Sequence, residues 1–140
     1  MIVHETELRV QYYETDQMGV VHHSNYIRYF EVGRTELIRH LGMSYKELED
    51  FGTVMPITNI EVRYFYPARY DERIRIKICV KEMPKVRMVF HYEIFNEAGK
   101  LLADGSTTLA FLNKDTGRPQ RTPEVMMRLL AKYFTSTIAE

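Results

Sequence analysis

Asp16, His22 and His23 fall within one short stretch, YYETDQMGVVHHSNY (residues 12–26), with Gly19 between the carboxylate and the two imidazoles. Gly19 permits a tight backbone turn after Asp16. A helix that begins just after His23 presents unpaired N–H groups and a partial positive charge at its first turn. Such a terminus can stabilise an oxyanion developing on a carbonyl. A carboxylate facing the same point can activate water as a general base or attack as a nucleophile. Acyl transfer needs both components together, and this stretch encodes both. The residues alone also permit a plainer account, in which Asp16 caps its own turn and the histidines lie on the surface. Adjacent histidines do not share a helical face, and no Cys or carboxylate completes a metal set at familiar spacing, so no metal is expected.

The elements that must position these groups follow from periodicity. Thr6, Leu8, Val10 and Tyr12 alternate with Glu7, Arg9 and Gln11, which predicts a half-buried strand over 6–12. Ser24 is the expected cap of a long helix, and Tyr26, Tyr29, Phe30, Gly33, Leu37 and Leu41 form its apolar face as far as Gly42. Gly33 inside that face costs up to about 1 kcal/mol relative to Ala, which points to a close approach between helix and sheet. Ser44 and Glu47 match a capping box for a short second helix. Strands are expected over 60–66, 74–80, 86–95 and 101–112, with NEAGK (96–100) as a hairpin turn and a terminal helix over 123–134. Short connections favour antiparallel pairing. One long helix with an aromatic face, and one sheet to receive it, predict an α+β domain in which the sheet wraps the helix. Such a sheet has exposed edges, so association of chains is physically reasonable.

Composition narrows the partners. The 140 residues suit one domain over 1–140, and 19 Lys plus Arg balance 19 Asp plus Glu. Zero net charge argues against a nucleic-acid binder. No apolar run approaches the roughly 18 residues that a membrane span requires, and the first residues lack a basic and apolar leader pattern. The single cysteine, Cys79, has no partner for an internal disulfide, so a reducing cytoplasm is expected.

The string Y-x-E-T-D-x-x-G-V-V-H-H-S-N-Y, followed by E-x-G-R-T-E (31–36) and YPARYDE (66–72), resembles the acyl-CoA thioesterases of the 4-hydroxybenzoyl-CoA thioesterase type, which have the hotdog fold. The resemblance spans roughly residues 5–115. It implies a curved antiparallel five-stranded sheet around one long helix and hydrolysis of a thioester to coenzyme A and a carboxylic acid. It further implies Asp16 as the catalytic carboxylate, a backbone N–H near His23 as the carbonyl-polarising donor, and Tyr12 and His23 as pocket residues. Lys85 and Arg87, with Arg63, are the implied contacts to the phosphates of coenzyme A, which enters as part of the substrate; no separate cofactor is implied. Active sites shared between subunits of a dimer, often paired into a tetramer, are implied as well. An acyl carrier protein substrate and a non-catalytic acyl-CoA-binding module are the alternatives. Glu31 and Glu36 on the helix are expected to be solvated or interfacial.

Overall fold

The computed structural model describes residues 1–134; the expected domain runs on to residue 140, and residues 135–140 lie outside that description. Strand β1 (Ile2–Arg9) leads through a one-turn 3-10 helix (Tyr12–Glu14) to the long helix α1 (Asn25–His40) and the short helix α2 (Tyr45–Asp50). Then come β2 (Thr53–Val54), β3 (Ile57–Tyr64), β4 (Arg73–Val80), β5 (Arg87–Phe95), β6 (Leu101–Ala110), β7 (Leu112–Asn113) and α3 (Glu124–Phe134). The main sheet has the order β1-β4-β5-β6-β3, antiparallel throughout. The two-residue strands β2 and β7 pair separately. They are too short for periodicity to reveal.

The helix and the sheet explain one another. Ile74, Ile76, Ile78 and Val80 on β4, and Met88, Phe90, Tyr92 and Ile94 on β5, all point to one face and are fully buried. Tyr26, Tyr29, Phe30 and Leu37 of α1 are buried with them in one core. α1 packs on β1, β4 and β5, and Phe30 stacks flat on Tyr92 at 4.2 Å between ring centroids. A Cβ on Gly33 would lie 2.7 Å from Ile78 Cγ1 and 2.9 Å from Ile76 Cγ2, so the glycine serves the close approach that its helical cost implied. Arg34 is buried on the same helix, 3.7 Å from the Glu31 carboxylate. The opposite sheet face is charged, with Arg75–Glu5 at 3.0 Å and Arg63–Asp104 at 2.8 Å.

Three local expectations need correction. β1 ends at Arg9, and Tyr12 starts the 3-10 turn with 76% of its surface exposed, so it does not continue the half-buried face of Leu8 and Val10. The chain leaves the sheet there because Val10 donates to the Glu72 carbonyl and accepts from Asp71 N–H, in the loop before β4. Ser24 is already helical and its hydroxyl caps nothing; Asn25 N–H and Tyr26 N–H donate instead to the carbonyls of His22 and His23. The strand expected over 60–66 starts three residues earlier and ends two earlier, at Ile57–Tyr64. Phe65 N–H and Tyr66 N–H both donate to the Leu102 carbonyl, which ends the ladder before Pro67. α1 itself stops at Gly42 as expected, with φ +98° there, and Ser44 Oγ accepts from Glu47 N–H at the start of α2.

Candidate active site

The 12–26 stretch folds into a small hairpin that ends in α1. His22 N–H donates to the Glu14 carbonyl, Thr15 bridges to Val21, and Asp16 N–H donates to the Val20 carbonyl at 2.9 Å. Gly19, at φ +76°, closes the tip by donating to the Asp16 carbonyl. Asp16 Oδ1 accepts from Met18 N–H at 2.8 Å and Val20 N–H at 3.4 Å. The turn role of this aspartate is therefore real, but it occupies one carboxylate oxygen only. Among the described residues, Oδ2 accepts no protein hydrogen bond.

The base of the hairpin is held from several sides. The Glu14 carbonyl also accepts from Asn25 Nδ2, and its carboxylate accepts from the Tyr29 hydroxyl at 3.1 Å. Burial, and then the Glu14 charge, push the Tyr29 phenol far above the usual tyrosine range, so it stays a proton donor. Val21 N–H donates to the Ala68 carbonyl, and Ala68 N–H donates to the Tyr26 hydroxyl. Ala68, fully buried, is thus the node at which the YPARYDE loop grips both hairpin and helix. Asp71 closes that loop in the left-handed region, at φ +66°.

The backbone donors at the helix start can be accounted for one by one. Between Val20 and Tyr26, the N–H groups of residues 20, 21, 22, 24, 25 and 26 all have acceptors, the Ser24 N–H through His22 Nδ1 at 3.3 Å. His23 N–H has none. It sits one residue past the Glu14–His22 rung, three residues or about 10 Å of extended chain from the Asp16–Val20 rung. The His23 carbonyl accepts from the Tyr64 hydroxyl at 3.0 Å. Beside it opens a cavity of about 220 Å³ lined by Val21, His23, Tyr26, Tyr64, Phe65, Tyr66 and Pro67.

The other candidates lie elsewhere. Tyr12 is at the solvent side of the hairpin, its ring edge-on to Tyr70 at 5.5 Å, and does not line this cavity. Arg63 is on the charged sheet face, away from α1, in a bidentate pair with Asp104 at 2.8 and 2.9 Å. Lys85 and Arg87 are exposed at the start of β5. Arg87 lies opposite Ala110 and Tyr64 opposite Ala103, so seven residues of β6, about 23 Å, separate them along the sheet. Within one chain these cations are not brought to His23. Two cations stand over rings that line the cavity: Lys100, 3.4 Å above Tyr66, and Arg63, 5.8 Å from the Phe65 centroid. Glu36 pairs with Arg39 and Glu31 is exposed, as expected of solvated helix residues. Among the described residues, no group of three or more His, Cys, Asp or Glu side chains could hold a metal ion, and no helix is long and apolar enough to cross a membrane.

Sequence reasoning missed Tyr64, Glu14 and Ala68. A tyrosine, rather than a purely apolar residue, at the last inward position of β3 is the only signal for the first.

A sheet curled round one helix, with a turn-held carboxylate and a free N–H at the helix start, defines a hotdog domain of the thioesterase class. The model of the thioesterase-like superfamily matches residues 10–130. YneP of Bacillus subtilis is 35% identical over 85% of this chain and 86% of its own length. The acyl-CoA thioester hydrolase YbgC of Escherichia coli is 29% identical over 84% and 87%. The crystal structure of a DHNA-CoA thioesterase from Staphylococcus aureus superposes with a TM-score of 0.83 at 39% identity, covering 99% of this chain and 88% of that one. The chain belongs to the thioesterase-like superfamily and is a thioester hydrolase.

Proposed function

We propose that the chain hydrolyses acyl-CoA thioesters, with Asp16 and the His23 N–H as the two halves of its chemistry. The observation that carries this reading is their pairing on one hairpin: among the described residues, a carboxylate with one oxygen tethered and one free, and the single donor of the 20–26 stretch without an acceptor. The thioester carbonyl binds with its oxygen at His23 N–H, where negative charge develops. Asp16 Oδ2 removes a proton from the attacking water and passes it to the departing thiolate, or attacks the carbonyl carbon itself to expel the thiolate and form a mixed anhydride that water hydrolyses. Coenzyme A leaves as the thiol and the acyl group as the acid. The His23 side chain lines the cavity that receives the acyl group.

Two chains complete the site in this reading. β3 is an unpaired edge, exposed on both faces, with Ile60 at 41% and Tyr64 at 50%. Antiparallel pairing of two such edges about a two-fold axis sets the Ile57 end of one chain beside the Tyr64 end of the other. It thereby brings Lys85 of the partner subunit and Arg87 of the partner subunit to the end of the sheet that holds His23, where the coenzyme A phosphates need cations. Dimers pair further into a tetramer, and the enzyme acts in the cytoplasm, where acyl-CoA is available.

Thiol release from a panel of acyl-CoAs tests this. Asp16→Asn keeps the Oδ1 turn and removes the base, so kcat should fall by about 10²–10⁴. Equal rates in both proteins would remove Asp16 from the mechanism. No thiol from any acyl-CoA would sink the acyl-CoA reading. Activity on an acyl carrier protein thioester alone, weakening steeply with salt, would replace coenzyme A with a carrier protein.

A further inference from the structure

The Tyr64 hydroxyl makes the one hydrogen bond, among the described residues, between the edge strand β3 and the 20–26 stretch. Its acceptor is the carbonyl of the residue whose N–H is free. Peptide planes are rigid, so the aim of the His23 N–H depends on the two planes that flank the His23 Cα. The His22–His23 plane is held by Asn25 N–H on the His22 carbonyl at 2.9 Å. Among the described residues that is the only hydrogen bond to this plane. The His23–Ser24 plane is held by Tyr26 N–H at 3.3 Å, a long bond, and by the phenol at 3.0 Å, the shorter one. The phenol is itself steadied by the ring of Tyr26, edge-on at 5.1 Å.

We propose that Tyr64 is a positioning residue: its hydroxyl, bonded to the His23 carbonyl, aims the adjacent His23 N–H at the substrate carbonyl. Tyr64 touches no reacting atom in this scheme and acts through the backbone of His23. The proposal rests on the assignment of His23 N–H as the oxyanion donor. A consequence is that β3, the strand left open at the sheet edge, is linked directly to the donor.

Tyr64→Phe deletes only the hydroxyl. Its first readout needs no substrate: the ¹H–¹⁵N signals of the His23 and Ser24 amides should shift, and the His23 amide should lose its single sharp position. Unmoved amide signals overturn the proposal whether or not the protein turns over acyl-CoA. The second readout is kinetic, with the acyl-CoA that the wild type cleaves fastest. Complete loss of one oxyanion donor costs about 10²–10³ in kcat; a misaimed donor should cost about 10-fold or more, with KM changed less than about twofold. The third is the infrared carbonyl band of a bound analogue of that acyl-CoA with CH₂ in place of sulfur. It should lie below the free value in the wild type and return toward it in Tyr64→Phe. An unchanged kcat, an unshifted band, or a parallel loss of kcat, KM and thermal stability each overturns the positioning role. A wild type without activity on any thioester fails the functional reading instead, and the amide signals then decide the geometry alone.

Discussion

The two edges of the sheet are finished differently. β1 alternates buried and exposed residues, and its Glu5 and Glu7 pair across to Arg75 and Arg73 on β4. His4 stacks on His40 near the end of α1 at 4.6 Å, and the amino terminus donates to the Tyr133 carbonyl of α3. Charged side chains and covering elements make a strand edge unattractive to another chain. β3 carries one such cross-strand pair, Arg63 with Asp104, but its inner face is left open. Its inward side chains, Ile60 and Tyr64, are uncovered, and Phe65 and Tyr66 extend the apolar surface to the mouth of the cavity. One edge is closed by its own chain; the other stops where the candidate site begins.

A lysine on each edge should expose that contrast most strongly. Ile60→Lys is expected to leave single chains in sedimentation velocity and to lower thiol release more than about 100-fold, because oxyanion donor and phosphate cations no longer meet. Val3→Lys, an equally drastic change on exposed β1, should leave the assembled mass and the rate near wild type. Assembly surviving Ile60→Lys would mean that β3 is not the seam.

A subtler break acts from beneath. A Cβ on Gly105 would run into the Glu61 carbonyl of β3 and the Phe30 ring of α1. Gly105→Ala should therefore displace β3 from β6 at a cost of about 3 kcal/mol, seen as a lower urea midpoint. The β1–β4 amides should keep their protection against hydrogen exchange while the β3–β6 amides lose theirs.

The smallest effect belongs to the closed edge. Burial, and then the neighbouring His40 charge, hold the His4 imidazole below its usual pKa of 6.5, while Glu36 and Glu5 pull the other way. The unfolded chain therefore binds the proton first as pH falls. Stability from this source is full above about pH 6.5 and is lost as pH drops through that value toward the lower folded pKa. His91 is lowered in the same sense, by burial first. His4→Gln should make the decline of Tm between pH 7.5 and 5 shallower without abolishing it. An unchanged slope would show that His4 does not close the β1 edge in a titratable way.

Much of this architecture was legible in the residues. Strict alternation marked β4 and β5 because one face meets the core and the other meets water. Gly33 announced the helix–sheet contact because nothing else justifies a glycine there. The Asp16–His23 string located the candidate site because a turn, a carboxylate and a helix start are all local features. What could not be read depends on distant partners. Tyr12 continues the alternation of β1 perfectly, yet the strand ends at Arg9 because residues 71 and 72 take the bonds of Val10. Ser24 has the side chain of a cap, but its hydroxyl lies 2.8 Å from His22 Nδ1 instead. Lys85 and Arg87 are close to nothing relevant in one chain, since their place relative to His23 depends on register across the whole sheet and on a second copy.

The docking of the Asp16 hairpin onto residues 66–72 also sets an order in time. Val10 to Glu72 and Val21 to Ala68 are links across some fifty to sixty residues, whereas the β5–β6 hairpin closes over a five-residue turn. Contacts distant along the chain form late in refolding, after local ones have removed much of the loop entropy. Diluted from denaturant, the chain should regain helix and β5–β6 hairpin signals first and thioesterase activity last. Catalysis then becomes the strictest reporter of complete folding that this molecule offers.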